Sequence, residues 1–112
     1  MKEEDFKIGD SVVVRKGVID PDYDIDISGW QGRITRINRF IEIQWDSITL
    51  KNMPLELLLE CEEDKLSWDD MILEDTHIQK AVERDSKTDV SNAKTYVSSQ
   101  ILSQINKNHN QV

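Results

Sequence analysis

Apolar and polar positions alternate strictly through Ile41-Glu42-Ile43-Gln44-Trp45. Ile41, Ile43 and Trp45 share one face and Glu42 and Gln44 the other, the period of a half-buried strand. Residues 7–15 predict an earlier strand, because the turn signal Gly9-Asp10 leads into three β-prone valines, Val12 to Val14. Gln31 to Ile37 reads as a second strand, with Asn38-Arg39 as the tight turn before the alternating one. Asp46-Ser47 predicts another turn, and Ile48-Thr49-Leu50 the start of a fourth short strand. Residues 16–30 hold Gly17, Pro21, Gly29 and four aspartates without an apolar period, which predicts a long loop.

Further on the period changes. Pro54 suits the first position of a helical turn, and Leu55, Leu58 and Leu59 follow at i, i+3 and i+4, predicting a helix over 54–62. Ser67 and Asp70 are spaced as a capping pair, so a one-turn helix running into a fifth strand at Met71-Ile72-Leu73 is expected. Beyond residue 80, Ser, Thr, Asn and Gln dominate. Within 86–106, Val90, Ala93, Val97, Ile101 and Ile105 form a narrow helical stripe, with Ser86 and Asp89 placed to cap it. An isolated helix of that kind is marginal in water. The stripe therefore reads either as a frayed tail or as a helix covered by the barrel or by a second copy. The last residues, 106–112, are expected to be disordered. The predicted architecture is mainly β: a small barrel of about five strands with an acidic helical extension over 1–83, then a polar tail over 84–112.

Charge changes the picture locally. The chain of 112 residues carries 22 acids against 14 bases, a formal net charge of −8. Residues 56–75 alone hold nine acids and one base, Lys65, and account for the whole excess. Such a balance disfavours non-specific nucleic-acid binding. With one cysteine, Cys61, no internal disulfide can form. The opening residues lack the apolar run of a signal peptide, and no stretch approaches a membrane span, so a cytoplasmic location is expected.

The run Lys7 to Val14 is similar to the opening strand of many SH3-like barrels. The fuller pattern is Ile27-Ser28-Gly29-Trp30-Gln31-Gly32-Arg33-Ile34, then Ile43-Gln44-Trp45-Asp46-Ser47-Ile48-Thr49-Leu50, Met53-Pro54 and Cys61-Glu62-Glu63-Asp64-Lys65-Leu66. It resembles a family of small uncharacterised bacterial proteins, some loosely labelled calcium-binding. The resemblance covers residues 7–83. It implies an SH3-like barrel with a short acidic helical extension and no established activity; a shared fold does not confer a function.

Four surfaces carry candidate chemistry. Asp20, Asp22, Asp24 and Asp26 alternate along the loop as if to hold Ca²⁺, which takes six to eight oxygens. The likeness to an EF-hand loop then fails, because Ile25 stands where glycine is needed and Gln31 where a bidentate glutamate is needed. The alternative is an amphipathic loop covering the barrel with its acids in solvent. Trp30, with Tyr23 and Phe40 as neighbours, is the candidate for an aromatic groove that binds a peptide; the alternative is that Trp30 plugs one end of the barrel. Trp45 belongs to the core face, and Trp68 is placed to pin the acidic extension. Arg33, Arg36 and Arg39 are the candidates for contact with nucleic acid, unless the aspartate loop or the 56–75 acids neutralise them. Finally, the 56–75 acids are either a docking surface for a basic partner or a solvated face. Enzymatic chemistry has little to stand on. Cys61 with His77 is the one nucleophile–base pairing to consider, and a cysteine in a leucine-rich helical turn is ordinarily a buried, inert thiol. The leading expectation is a non-enzymatic protein-interaction module, with hard-cation binding or nucleic-acid association as alternatives.

Overall fold

The five strands of the main sheet are antiparallel and arranged so that the longest one is central. The computed structural model describes residues 5–110. The sheet is built from β1 (Ser11–Val14), β4 (Gln31–Ile37), β5 (Ile41–Trp45), β6 (Asp70–Leu73) and β7 (Ile78–Lys80), in the spatial order β6-β5-β4-β1-β7. β4 pairs with β1 through Gln31, Gly32 and Arg33 and with β5 along its length, with a register shift between Ile34 and Arg36. Its first half is therefore buried on both faces, and its second half runs out into solvent. Gly32 is required there by close approach. A Cβ at this position would lie 2.8 Å from Ile43 Cγ2 and closer still to the backbone oxygen of Gln44.

The predicted loop 16–30 contains a second, two-stranded sheet, β2 (Ile19–Asp20) with β3 (Ile25–Asp26). Its strands are too short to show a period. The turn closes with Asp24 N–H donating to Asp20 O at 2.8 Å and with Asp24 at φ 55°, a left-handed conformation that aspartate tolerates better than most residues. Ile27, fully buried, then anchors the returning arm beneath the sheet.

The expected strand at Ile48 is instead helix α1 (Ser47–Asn52). Asp46 Oδ1 accepts from Thr49 N–H at 2.9 Å, and this N-cap outweighs the β preference of Ile48 and Thr49. Helix α2 (Leu55–Asp64) follows Pro54 as predicted and ends at Lys65, which adopts φ 59°. No one-turn helix forms at Ser67; residues 65–69 run irregularly into β6, and a 3-10 turn (Asp75–His77) joins β6 to β7.

Helix α3 (Lys87–Asn110) starts as its sequence predicts. Asp89 N–H donates to Ser86 Oγ at 3.1 Å and Ser86 N–H to Asp89 Oδ2 at 3.0 Å, a reciprocal capping box. The helix continues through the stretch expected to be disordered as far as Asn110; residues 111 and 112 lie outside the described part. Its stripe is covered by this chain itself. Val90, Ala93, Val97 and Ile101 are buried in the same cluster as Val12, Ile34, Trp45 and Leu50, and α3 packs mainly on α1. Helices now hold more residues than strands, so the domain is mixed α/β rather than mainly β. The reason is that α1 and α3 bury each other. Val97→Asp places a carboxylate in that seam and should lower unfolding free energy by about 3 kcal/mol or more, read by urea denaturation, with the amides of α3 losing protection from exchange first.

Candidate functional site

The segment 81–86 between β7 and α3 is held by a buried ionic clamp. Arg33 from β4 has a side chain only 8% exposed; its Nε lies 2.7 Å from Glu83 Oε1 and its Nη2 2.7 Å from Asp85 Oδ1, and Nη2 also donates to the Asp85 carbonyl. Asp85, 4% exposed, accepts from Ser47 N–H through Oδ2 at 2.6 Å. Burial pushes the Asp85 carboxyl up, but the Ser47 hydrogen bonds and the Arg33 guanidinium outweigh it and hold the group below the usual carboxylate range. Beside this pair, Arg84 Nε lies 2.6 Å from Asp46 Oδ2, and Arg84 Nη2 donates to Thr49 Oγ1 at 3.0 Å. Gln31 Nε2 donates to the Val82 carbonyl at 2.7 Å. One side of the helix α1 N-terminus is thus tied to β4 and to the connector at once.

This geometry disposes of Arg33 as a surface cation. Arg36 is exposed but paired with Glu42 at 3.0 Å, and Arg39 stands at the exposed β4–β5 turn. The acids that neutralise Arg33 and Arg36 are Glu83, Asp85 and Glu42, not those of the aspartate loop or of 56–75. The charged run Glu83-Arg84-Asp85, directly before a helix cap, is the sequence signal that could have been read and was missed.

The four aspartates do not converge either. Asp20 is buried, and its Oδ1 accepts from Asp22 N–H at 3.3 Å. Asp24 closes the turn, and Asp26 accepts from both Ser28 N–H and Ser28 Oγ, which lowers its pKa. Among the described residues, no group of three or more His, Cys, Asp or Glu side chains is placed to hold a metal ion.

The hairpin instead walls a cleft. Tyr23 OH donates to Asp64 Oδ2 at 2.9 Å, joining the hairpin tip to the end of α2. Desolvation, and then this hydrogen bond, raise the Tyr23 hydroxyl above its ordinary value. Trp30 is half-buried, with its ring edge-on to Trp45 at 5.3 Å and 87°. Trp68 donates from Nε1 to Glu62 at 3.1 Å, pinning the chain after α2. Between these walls and β6 lies a cleft of about 310 Å³ lined by Tyr23, Trp30, Trp68, Leu57, Leu66 and Met71, with Asp20, Asp22 and Asp70 also on its walls. The Asp70 carboxyl is raised, first by desolvation and then by Asp69 and Glu42.

Phe40, the third predicted aromatic, stands apart from Tyr23 and Trp30. It lines a second cleft, of about 360 Å³, with Val18, Ile19 and His77. The two clefts share Pro21, Ile72 and Leu73. The wider groove between residues 61–69 and α3 is polar, and Lys94 there is committed to Asp69 at 3.2 Å. Cys61 lines the aromatic cleft, whereas His77 lines the second. Burial pushes the Cys61 thiol up; a hydrogen bond from Tyr23 opposes this and the Asp20, Asp64 and Glu60 charges add to it, so the net effect favours the thiol over the thiolate. No helix among the described residues is long and apolar enough to cross a membrane.

The chain matches no protein-family model, no curated protein and no solved structure.

Two outcomes are expected. Asp85 has a depressed folded-state pKa, so its stabilisation is present above about pH 4, its unfolded value, and is lost as pH falls through the lower folded value. Asp85→Asn leaves the buried Arg33 with only the exposed Glu83 carboxylate as its partner. It should cost about 3 kcal/mol at neutral pH and flatten the acid side of the stability curve, measured by urea titration across pH. Millimolar Ca²⁺ should leave the melting midpoint unchanged, because the hairpin offers it no convergent oxygens; a chelator-reversible rise would contradict the placement of these aspartates.

Proposed function

We propose that this chain is a non-enzymatic interaction module that takes an extended peptide along β6, and that its five-stranded sheet is an SH3-like barrel. The observation that carries the peptide reading is the continuity of the two clefts through Pro21, Ile72 and Leu73. Together they make one trough, with Trp30 and Tyr23 at one end and Phe40 at the other. β6 runs along it as an edge strand, pairing with β5 on one side only. Ile72, 57% exposed on that edge, borders both clefts. An edge strand offers unpaired backbone groups to an added strand, while flanking pockets take alternate side chains.

The barrel reading is supported by connectivity. β6 and β7 are the two edges of the sheet, yet they are consecutive strands joined by Glu74 and one 3-10 turn. A flat five-stranded sheet would put its edges about 19 Å apart at the usual strand spacing. A compact 3-10 connection rises only about 2 Å per residue, so the short link favours a curled sheet that stays open between β6 and β7, which do not pair with each other. The acids on both sides of the trough favour a basic or mixed peptide over an acidic one.

The test is selection of short peptides from a random displayed library on the immobilised chain, followed by affinity measurement on Ile72→Glu and Phe40→Ala. Both positions are exposed, so folding should survive. Ile72→Glu should weaken selected peptides by about tenfold or more and Phe40→Ala by less. Peptides indifferent to both substitutions would place recognition elsewhere and defeat the reading.

A further inference from the structure

We propose that the aromatic end of the trough is a receptor for an organic cation: the ammonium or guanidinium head of a lysine or arginine side chain. The proposal rests on the peptide-binding reading and names the residue that anchors such a peptide. Tyr23, Trp30 and Trp68 come from three separate elements, yet they line one cleft of about 310 Å³. Asp20, Asp22 and Asp70 line the same cleft, and among the described residues no Lys, Arg or His does. The formal charge of the lining residues is therefore all of one sign, and the cation that acts on Asp70, Lys94, stands outside the cleft.

The class of ligand follows by elimination. An anion meets the wrong sign. A hard metal ion needs several oxygens brought together, and the described residues provide no such group. A neutral apolar ligand would fill the space but would leave the acids of the lining, of which Asp70 has only Ser67 and Lys94 in its favour, as they are. A diffuse organic cation suits both kinds of wall. Aromatic faces attract a cation through their quadrupole, and an alkyl stem can lie along Leu57, Leu66 and Met71 while the head meets carboxylates.

A second observation points the same way. Against hydrogen bonds from Ser67 to Asp70 and from Tyr23 to Cys61, burial, and then nearby acids, shift three groups around the cleft towards their protonated forms: Asp70 with Asp69 and Glu42, Cys61 with Asp20 and Asp64, and Tyr23 with Asp64. Lys94 opposes this at Asp70 but lies on α3, in the neighbouring polar groove. An arriving cation would relieve a tension that the folded chain keeps.

The experiment uses the full chain and follows the tryptophan indole N–H signals by NMR. The probes are n-butylguanidinium chloride, n-butylammonium chloride and the neutral isostere n-butylurea. Both cations should shift the Trp30 and Trp68 signals saturably in the millimolar range, and n-butylurea should bind about tenfold more weakly. Asp70→Asn and Asp22→Asn should each weaken cation binding while the spectrum stays folded. Asp70→Asn should also raise the melting midpoint at neutral pH, since it removes a carboxylate that burial disfavours; a purely structural role for Asp70 would not give weaker binding with higher stability. Equal binding of n-butylurea and n-butylguanidinium, or no saturable shift of either indole, would overturn the proposal. Replacing arginine by citrulline in a selected peptide separates the two readings. A peptide that still depends on Ile72 but ignores this change would remove the cation receptor and leave the trough. Cation binding without any peptide binding would leave the receptor and remove the trough.

Discussion

Asp85 is the point on which the rest of this structure depends. Its carboxylate meets the Arg33 guanidinium in the middle strand and the Ser47 N–H at the start of α1. Arg84 at the same time holds Asp46, the residue that caps that helix. A buried ion pair is an uncertain source of net stability, because desolvating both charges is expensive. Its value here is positional. It fixes where the chain leaves β7, and so directs α3 across α1 with Val90, Ala93, Val97 and Ile101 facing the core. Without it the stripe on α3 would still be apolar, but its register against the sheet would rest on Arg84, Gln31 and Lys94 alone.

The clamp and the cleft divide the molecule's charges into two kinds. On the clamp side, nearly every buried charge has an opposite within hydrogen-bonding distance. On the cleft side, Asp20 and Asp22 from the hairpin and Asp70 from β6 share the lining with aromatic residues, and among the described residues no Lys, Arg or His joins them. A protein that pairs its charges so closely in one place and gathers acids of one sign in another invites a functional reading of the second place. The hairpin also explains how a small domain comes to own a cleft. Ile27 is driven under the sheet, and the tip carrying Tyr23 is carried out to meet α2 at Asp64.

Much of this was legible in the residues. The alternation at Ile41 to Trp45, the valines of β1, the leucines after Pro54 and the stripe from Val90 to Ile105 each announced an element, because each repeats with the period of the structure it forms. The Ser86–Asp89 capping box was legible for the same local reason. What misled was local propensity set against a cap: Ile48-Thr49-Leu50 looks like a strand until Asp46 is seen to satisfy the first turn of a helix. The hairpin inside 16–30 was hidden because two-residue strands have no period to show. Of the candidate aromatics, Tyr23 and Trp30 share a cleft and Phe40 does not; Asp70, Leu66 and Trp68 joined them from far along the chain.

By itself, then, the sequence determined which segments could be strand or helix, which faces would be apolar and where the charge excess lay, since periodicity, caps and composition act over a few residues. Only the tertiary structure decided which charges would meet. Arg33 was a candidate either for contact with nucleic acid or for neutralisation by acids in the sequence, and it is the centre of a buried clamp in the fold. Four evenly spaced aspartates suggested one cation site, and a turn at Pro21 to Asp24 sent them in different directions. Opposite charges 50 residues apart are paired by the path of the chain, and no local pattern records that path.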